Sequence, residues 1–299
     1  MKILSFGSMN IDNTYSVDEF VQPGETMTAK NLSKFCGGKG LNQSIALASA
    51  GADVAHFGCV GEDGDILLDM LKSRGVNTDS VIKIDNITSG HAIIQVDSHG
   101  QNSILLYPGA NHRMTPELID RELEKYSCGD WLLIQNETNC LEYIMRAANK
   151  KGMKIAFNPS PMDGTVSTLP LELVDLFLVN EIEGAAVTGK EITEEITAEF
   201  EKLFPNAAVI LTLGKKGSIF KSEKDMLFQP SYCGTVKDTT GAGDTYTGFF
   251  IANYINGVSP QECMRIAAMA STVQISRDGA AIAIPKKQEV LNALKNHCR

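Results

Sequence analysis

Asp244 follows Gly241-Ala242-Gly243 inside the run Val236-Lys-Asp-Thr-Thr-Gly-Ala-Gly-Asp-Thr-Tyr-Thr-Gly-Phe-Phe250. Two glycines so close let the backbone take φ > 0 and approach a ligand. N–H groups at the start of a following helix form a site for an anion such as phosphate. A carboxylate beside such a site needs a reason. One reason is a helix start, where Asp is favoured. The other is a general base that takes a proton from a hydroxyl attacking phosphorus. The motif alone does not choose between them.

Other polar residues recur at the ends of apolar runs: Asn10 and Asp12, Gly37 to Lys39 with Asn42, Glu137, Asn180 with Glu183, and Thr212 to Gly214. Each has a plain explanation as a turn, a loop charge or a helix start. Their shared placement after strands points to one cleft, because open α/β sheets bind ligands at the carboxyl ends of their strands. Several other chemistries find no support. There is no G-x-x-x-x-G-K-[ST], and Gly241-x-Gly243 lacks the third glycine of a dinucleotide fingerprint. A G-x-S-x-G elbow is absent, and the five histidines show no zinc-binding spacing.

The elements that must position these residues alternate. Strands are expected over 2–8, 54–60, 131–135, 154–157, 176–179 and 208–213, with an antiparallel edge over 218–221 and 226–229. Helices are expected over 41–48, 63–73, from Thr115-Pro116 onward, 141–151, 193–204, from Gly243 to about 256, 260–276 and 286–297. This alternation predicts an α/β fold, a doubly wound, mainly parallel sheet with helices on both faces. Residues 14–35 and the hairpin 90–107, turning at Asp97-Ser98-His99-Gly100, are expected to form a small β-sheet lid inserted into one domain spanning 1–299.

Composition bounds the rest. Of 299 residues 43% are hydrophobic and 21% charged, enough for a sizeable core. A net charge of −9 argues against a general nucleic-acid binder. Seven scattered cysteines (36, 59, 128, 140, 233, 263 and 298) form no C-x-x-C and read as reduced thiols in the cytoplasm. The first residues are apolar too briefly for a signal peptide, and no run approaches a membrane span.

Taken in order, Gly37-Gly38-Lys39-Gly40-Leu41-Asn42-Gln43, Gly58-Cys59-Val60-Gly61-Glu62-Asp63 and Asp238-Thr239-Thr240-Gly241-Ala242-Gly243-Asp244-Thr245-Tyr246-Thr247-Gly248 resemble the PfkB carbohydrate kinase family over essentially the full length. Asn10-Ile11-Asp12, Asn158-Pro159, Asn180-x-x-Glu183 and Leu213-Gly214 fall in the right order around them. The resemblance implies ATP-dependent phosphorylation of a sugar hydroxyl. Lys39 favours the branch that phosphorylates ribose at O5, with Ala92 and Ile94 as an apolar wall of the lid.

It further implies Asp244 as base and Gly241, Ala242 and Gly243 as anion hole. Asn10, Asp12, Gly38, Lys39, Asn42 and Glu137 match sugar contacts. Asn180, Thr212 and Gly214 match nucleotide contacts, and Glu183 the acidic position that helps organise magnesium. A potassium loop is implied at Asp238, Thr240, Gln274, Arg277, Gly279 and Ala283, where Ala283 departs from the Ser of many members, and so is a homodimer formed through the lid. Ala268 stands where some members place a polar residue beside adenine. Alternatives are another small sugar or nucleoside (2-deoxyribose, fructose, adenosine, pseudouridine), a non-catalytic sugar-binding regulator, and a dehydrogenase.

Overall fold

The computed structural model describes residues 1–297; Cys298 lies outside the described residues. In chain order the elements begin with β1 (Ile3–Phe6), β2 (Asn10–Ser16), β3 (Asn31–Gly37), α1 (Lys39–Ser49), β4 (Val54–Val60), α2 (Asp65–Ser73) and β5 (Val81–Lys83). The hairpin β6 (Gly90–Val96) and β7 (Asn102–Tyr107) follows, then α3 (Pro116–Leu123), β8 (Trp131–Gln135), α4 (Leu141–Lys150) and β9 (Lys154–Asn158). The chain continues through β10 (Leu176–Asn180), α5 (Glu181–Thr188), α6 (Thr193–Leu203), β11 (Ala208–Thr212), β12 (Ser218–Lys221) and β13 (Met226–Gln229). Three helices finish it: α7 (Ala242–Tyr254), α8 (Pro260–Gln274) and α9 (Lys287–His297).

A nine-stranded sheet runs β13-β12-β11-β10-β9-β8-β1-β4-β5. Pairing is parallel from β11 to β5, and β12 and β13 form the expected antiparallel edge. The strands are apolar on both faces because helices cover both. In β8, Trp131 and Leu133 pack into one core with α1, α7, α8 and α9, while Leu132 and Ile134 pack into the other with α3, α4 and α6. From β1 the chain goes to β4 on one side and reaches β8 on the other. A crevice therefore opens at the carboxyl ends of β1 and β8, the switch point at which such sheets bind ligands.

One close approach fixes the helix that carries Asp244. Gly248 of α7 lies against Ala46 and the Leu47 amide of α1, with no room for a Cβ. A side chain there would push α7 away from α1, and with it the Asp244 carboxylate from the side chains of α1.

The second sheet has four strands, β3-β2-β6-β7. The small sheet is wider than the expected 14–35. Asn10 to Asp12, for which a turn is the plain explanation, open β2 and pair with Gly37 to Phe35 and with Gly90 to Ala92. Gly7 to Met9 connect β1 to it. The second strand of the small sheet, β3, begins at Asn31 and ends at Gly37, leaving 17–30 as a connection. The short β5 and the helix α5 have too little periodicity to announce themselves, although the start of α5 at Asn180 is legible.

Candidate active site

The site is built from the base of α7 upward. Gly241 sits at the helix N-cap with φ 78°, a left-handed conformation that favours glycine. The Ala242 N–H is taken by Thr239 O at 3.2 Å. Among the described residues the N–H groups of Gly241, Gly243 and Asp244 have no partner. A Cβ on Gly243 would meet no atom within 4 Å, so open space lies beside Gly243, whereas one on Gly241 would meet Ala280 Cβ at 3.1 Å. Asp244 itself is 7% exposed, accepting from Asn42 Nδ2 at 3.0 Å and Gln43 Nε2 at 2.9 Å. Its oxygens thus turn to α1 rather than back to cap their own helix, which has no side-chain cap.

On the α1 side, burial works to lower the Lys39 ammonium, but Asp244, Glu137 and Glu183 around it hold it above its ordinary value. Glu137 Oε2 accepts from the Lys39 backbone N–H at 2.9 Å and from the Ser8 hydroxyl. Burial raises the Glu137 carboxyl in spite of Lys39. Burial, and then the charge of Glu137, push Asp12 up to about 7. Asn10 Oδ1 accepts from Asn111 Nδ2 at 2.8 Å, and Asn111 Oδ1 accepts from the Met9 N–H at 3.0 Å. Gly38 is the N-cap of α1. Asn10, Asp12, Gly38, Lys39, Asn42 and Glu137 therefore cluster between β2, α1 and the end of β8. In register with Asp12 stand Ala92 and Leu106, so the apolar side chains of β6 and β7 on that face overlook the same cluster.

Across Asp244 lies a cavity of about 240 Å3 whose lining includes Lys39, Asn158, Asn180, Glu183, Thr212 and Gly243. Asn180 and Glu183 form a capping box at α5: Glu183 N donates to Asn180 Oδ1 at 2.9 Å, and Asn180 N to Glu183 Oε2 at 3.1 Å. The plain helix-start explanation of this pair is geometrically correct, and the pair also faces the cavity. Gly214 and Ala268 belong to an adjoining, mostly apolar cleft of about 570 Å3 that shares Thr212, Thr239, Ala242, Gly243 and Tyr246 with the first. The sequence suggests one cleft; the structure has two sharing a wall.

The loop before α7 meets the loop after α8. Asp238 accepts from Thr240 N at 2.8 Å and from Gly279 N at 2.9 Å. Burial would raise its carboxyl, but these bonds outweigh burial and hold it below the usual range. Gln274 Nε2 donates to Thr240 O at 2.5 Å and Gly279 O at 3.3 Å, while its Oε1 is buried without a partner. The Arg277 side chain turns elsewhere, to Ala283 O at 3.4 Å and to Glu289.

Sequence reasoning assigned no role to Ser8, Gln43, Asn111, Gln135 or Asn158. Gln43 and Ser44 are fully buried in a helix that reads as small and apolar. No signal in the sequence shows that burial; once buried, polar side chains on a core-facing helix need partners.

This site stands on a doubly wound sheet, and the sequence matches the family described as pfkB family carbohydrate kinase over residues 1–287. The chain belongs to that family and is a sugar kinase. It is similar to the ribokinase of Haemophilus influenzae, with 33% identity over 97% of each chain. The structure of Arabidopsis thaliana ribokinase complexed with ribose and ATP superimposes with a TM-score of 0.85 at 29% identity, over 98% of both chains. The deoxyribokinase of Salmonella typhi is 29% identical over 97% of each chain.

Proposed function

We propose that the chain is a ribokinase, transferring the γ-phosphoryl group of ATP to O5 of D-ribose. One observation carries the reading: a buried carboxylate, Asp244, stands beside three unpaired backbone N–H groups at the start of α7, between a polar cluster and a cavity. The sugar hydroxyl oxygen attacks the γ-phosphorus, its proton passes to Asp244, and the bond to the bridging oxygen of ADP breaks. The free amides of Gly241, Gly243 and Asp244 stabilise charge on the transferred group. Ala242 contributes by shaping the turn, since its N–H is spent.

Asn10, Asp12, Gly38, Lys39, Asn42 and Glu137 hold the sugar, whose hydroxyls suit this mixture of donors and acceptors. Asn180, Thr212, Gly214 and Glu183 line the ATP side, with adenine in the apolar cleft beside Ala268. Glu183, a buried carboxylate on the cavity wall, fits water-mediated magnesium, which when bound offsets phosphate charge. The oxygens of Asp238, Thr240 and Gly279, with the orphaned Oε1 of Gln274, suit a hard monovalent cation such as potassium. Ala283 O, faced by Arg277, suits it less. The four-stranded sheet acts as lid, and its exposed apolar residues support a homodimer formed through it.

A coupled ADP-release assay with ribose, 2-deoxyribose, fructose, adenosine and pseudouridine tests the reading. Ribose should give the highest kcat/KM. Ribose-independent ATP consumption alone would remove it. Preference for 2-deoxyribose would move the chain to the activity that the name of its Salmonella relative carries.

A further inference from the structure

Gln43 sits in the second turn of α1, fully buried, and all its polar atoms are used. Its Nε2 donates to Asp244 Oδ1 at 2.9 Å and to Asn158 Oδ1 at 3.0 Å. Its Oε1 accepts from Gln135 Nε2 at 2.8 Å. The far end is fixed as well, because Asn158 Nδ2 donates to Leu178 O at 2.9 Å and reaches Glu183 Oε2 at 3.5 Å. Turning the Gln43 amide over would set its oxygen against two other acceptors and its NH2 against the Gln135 NH2. Asp244 and Asn158 thus forbid the flip, and Gln135, whose Oε1 is buried without a partner, takes its orientation from Gln43.

We propose that Gln43, oriented by Asn158 and backed by Gln135, is a positioning residue for phosphoryl transfer: it occupies Asp244 Oδ1 permanently and leaves Oδ2 as the oxygen that meets the attacking hydroxyl. The proposal rests on the kinase reading above. Asn42 is the natural partner to yield when sugar enters, since it stands in the sugar cluster and its own Oδ1 lacks a partner. Gln43 cannot yield without stranding Gln135, Asn158 and Asp244 together, and buried polar groups left unpaired are costly. The same chain of amides joins the end of β8 to the end of β9 and so to the α5 cap, tying the sugar half of the cleft to the nucleotide half. Besides these amides, the charged groups facing Asp244 are Lys39 from α1 and Glu137 from the loop after β8, with Asp12 from β2 and Glu183 from α5 beyond them.

Steady-state kinetics of the wild type, Gln43→Met, Gln135→Met and the double variant provide the test. Gln43→Met should lower kcat about 10- to 100-fold, the scale of one hydrogen bond to a charged group, with sugar and ATP KM changed by less than about threefold. The acidic limb of its kcat profile should move to higher pH over a range in which circular dichroism shows the variant fully folded, which separates the shift from acid unfolding. Gln135→Met should shift that limb in the same direction with a smaller loss, and the double variant should be no slower than Gln43→Met, because Gln135 acts through Gln43. Wild-type kcat in Gln43→Met, a loss confined to KM, or losses that multiply in the double variant would each overturn the proposal. Should Gln43→Met fail to show a cooperative melt, the limb shift in Gln135→Met decides alone. A wild type without sugar-dependent ATP turnover would instead sink the kinase reading itself.

Discussion

The Asn42 amide donates to Asp244 Oδ2 at 3.0 Å, joining α1 to α7 across 202 positions of sequence. This contact ties the glycine-rich N-terminal motif to the glycine-rich C-terminal one and puts the carboxylate at the boundary of the polar cluster and the cavity. Removing the proton acceptor while keeping the shape isolates its role. Asp244→Asn should lower kcat about 10²- to 10⁴-fold, the usual scale for a positioned base, while nucleotide binding measured by titration calorimetry persists. Activity near that of the wild type would show that some other group takes the proton.

Asp12 gives the cluster a pH dependence. Its carboxyl is pushed up to about 7 from an ordinary 3.8 by burial and by Glu137. A raised folded-state value means that the stability contributed by the protonated form is full below the unfolded value and is lost as pH rises through 7. Sugar hydroxyls donating to Asp12 favour its ionised form, so ribose should bind more tightly at pH 8 than at pH 6 and release a proton near pH 7. Calorimetry in buffers of different ionisation enthalpy reads the proton directly. Asp12→Asn should remove that release; release undiminished in this variant would point to Glu137 as its source.

The sheet and its helices were legible because buried strands are short apolar runs and helices such as α3 and α8 carry Thr or Ser caps followed by Pro. The residues at strand ends were legible by position. Register then explains their meeting: Asn180 pairs with Thr212, and Gln135 with Asn158, across adjacent parallel strands. What could not be read was which polar side chains turn inward. Gln43 and Asn158 stand in motifs that carry the resemblance but had no contact assigned, and Gln135 read as an ordinary strand residue, until the fold brings Asn158 and Gln135 within 3.0 Å of Gln43. The availability of amides was hidden too, since only the backbone path shows that Ala242 donates to Thr239 while Gly243 does not. Asn10 to Asp12 left a turn and a site both open in the sequence, because the types that favour turns also serve in a strand, and they lie in β2.

The four-stranded sheet leaves a large apolar surface in solvent. Every residue of β7 is exposed, with Leu105 at 68% and Ile104 at 57%, and Leu32, Phe35 and Ile93 add to the surface. Leu105, Ile93 and Leu32 lie on the face opposite Asp12, and Ile104 and Phe35 on the same face as Asp12. Exposed apolar residues gathered on one face mark an interaction site, and β7 is also a free sheet edge. Sedimentation should give a dimer for the wild type and a monomer for Leu105→Lys with Tyr107→Lys. A wild type that stays monomeric at working concentrations would remove the paired lid.

The loop around Asp238 should make turnover sensitive to the monovalent cation. Thr240 stands one residue before Gly241, so a cation that orders its carbonyl also steadies the turn presenting the free amides. Gln274 currently satisfies that carbonyl at 2.5 Å while leaving its own Oε1 unpaired, an arrangement that oxygen-seeking ions relieve. Potassium should therefore raise kcat over lithium at equal ionic strength, and Asp238→Asn should weaken the response. Because no substrate group is altered, the Asp238→Asn loss should shrink at high potassium. Equal rates in potassium and lithium would mean that Gln274 alone holds the loop and that no cation is needed there.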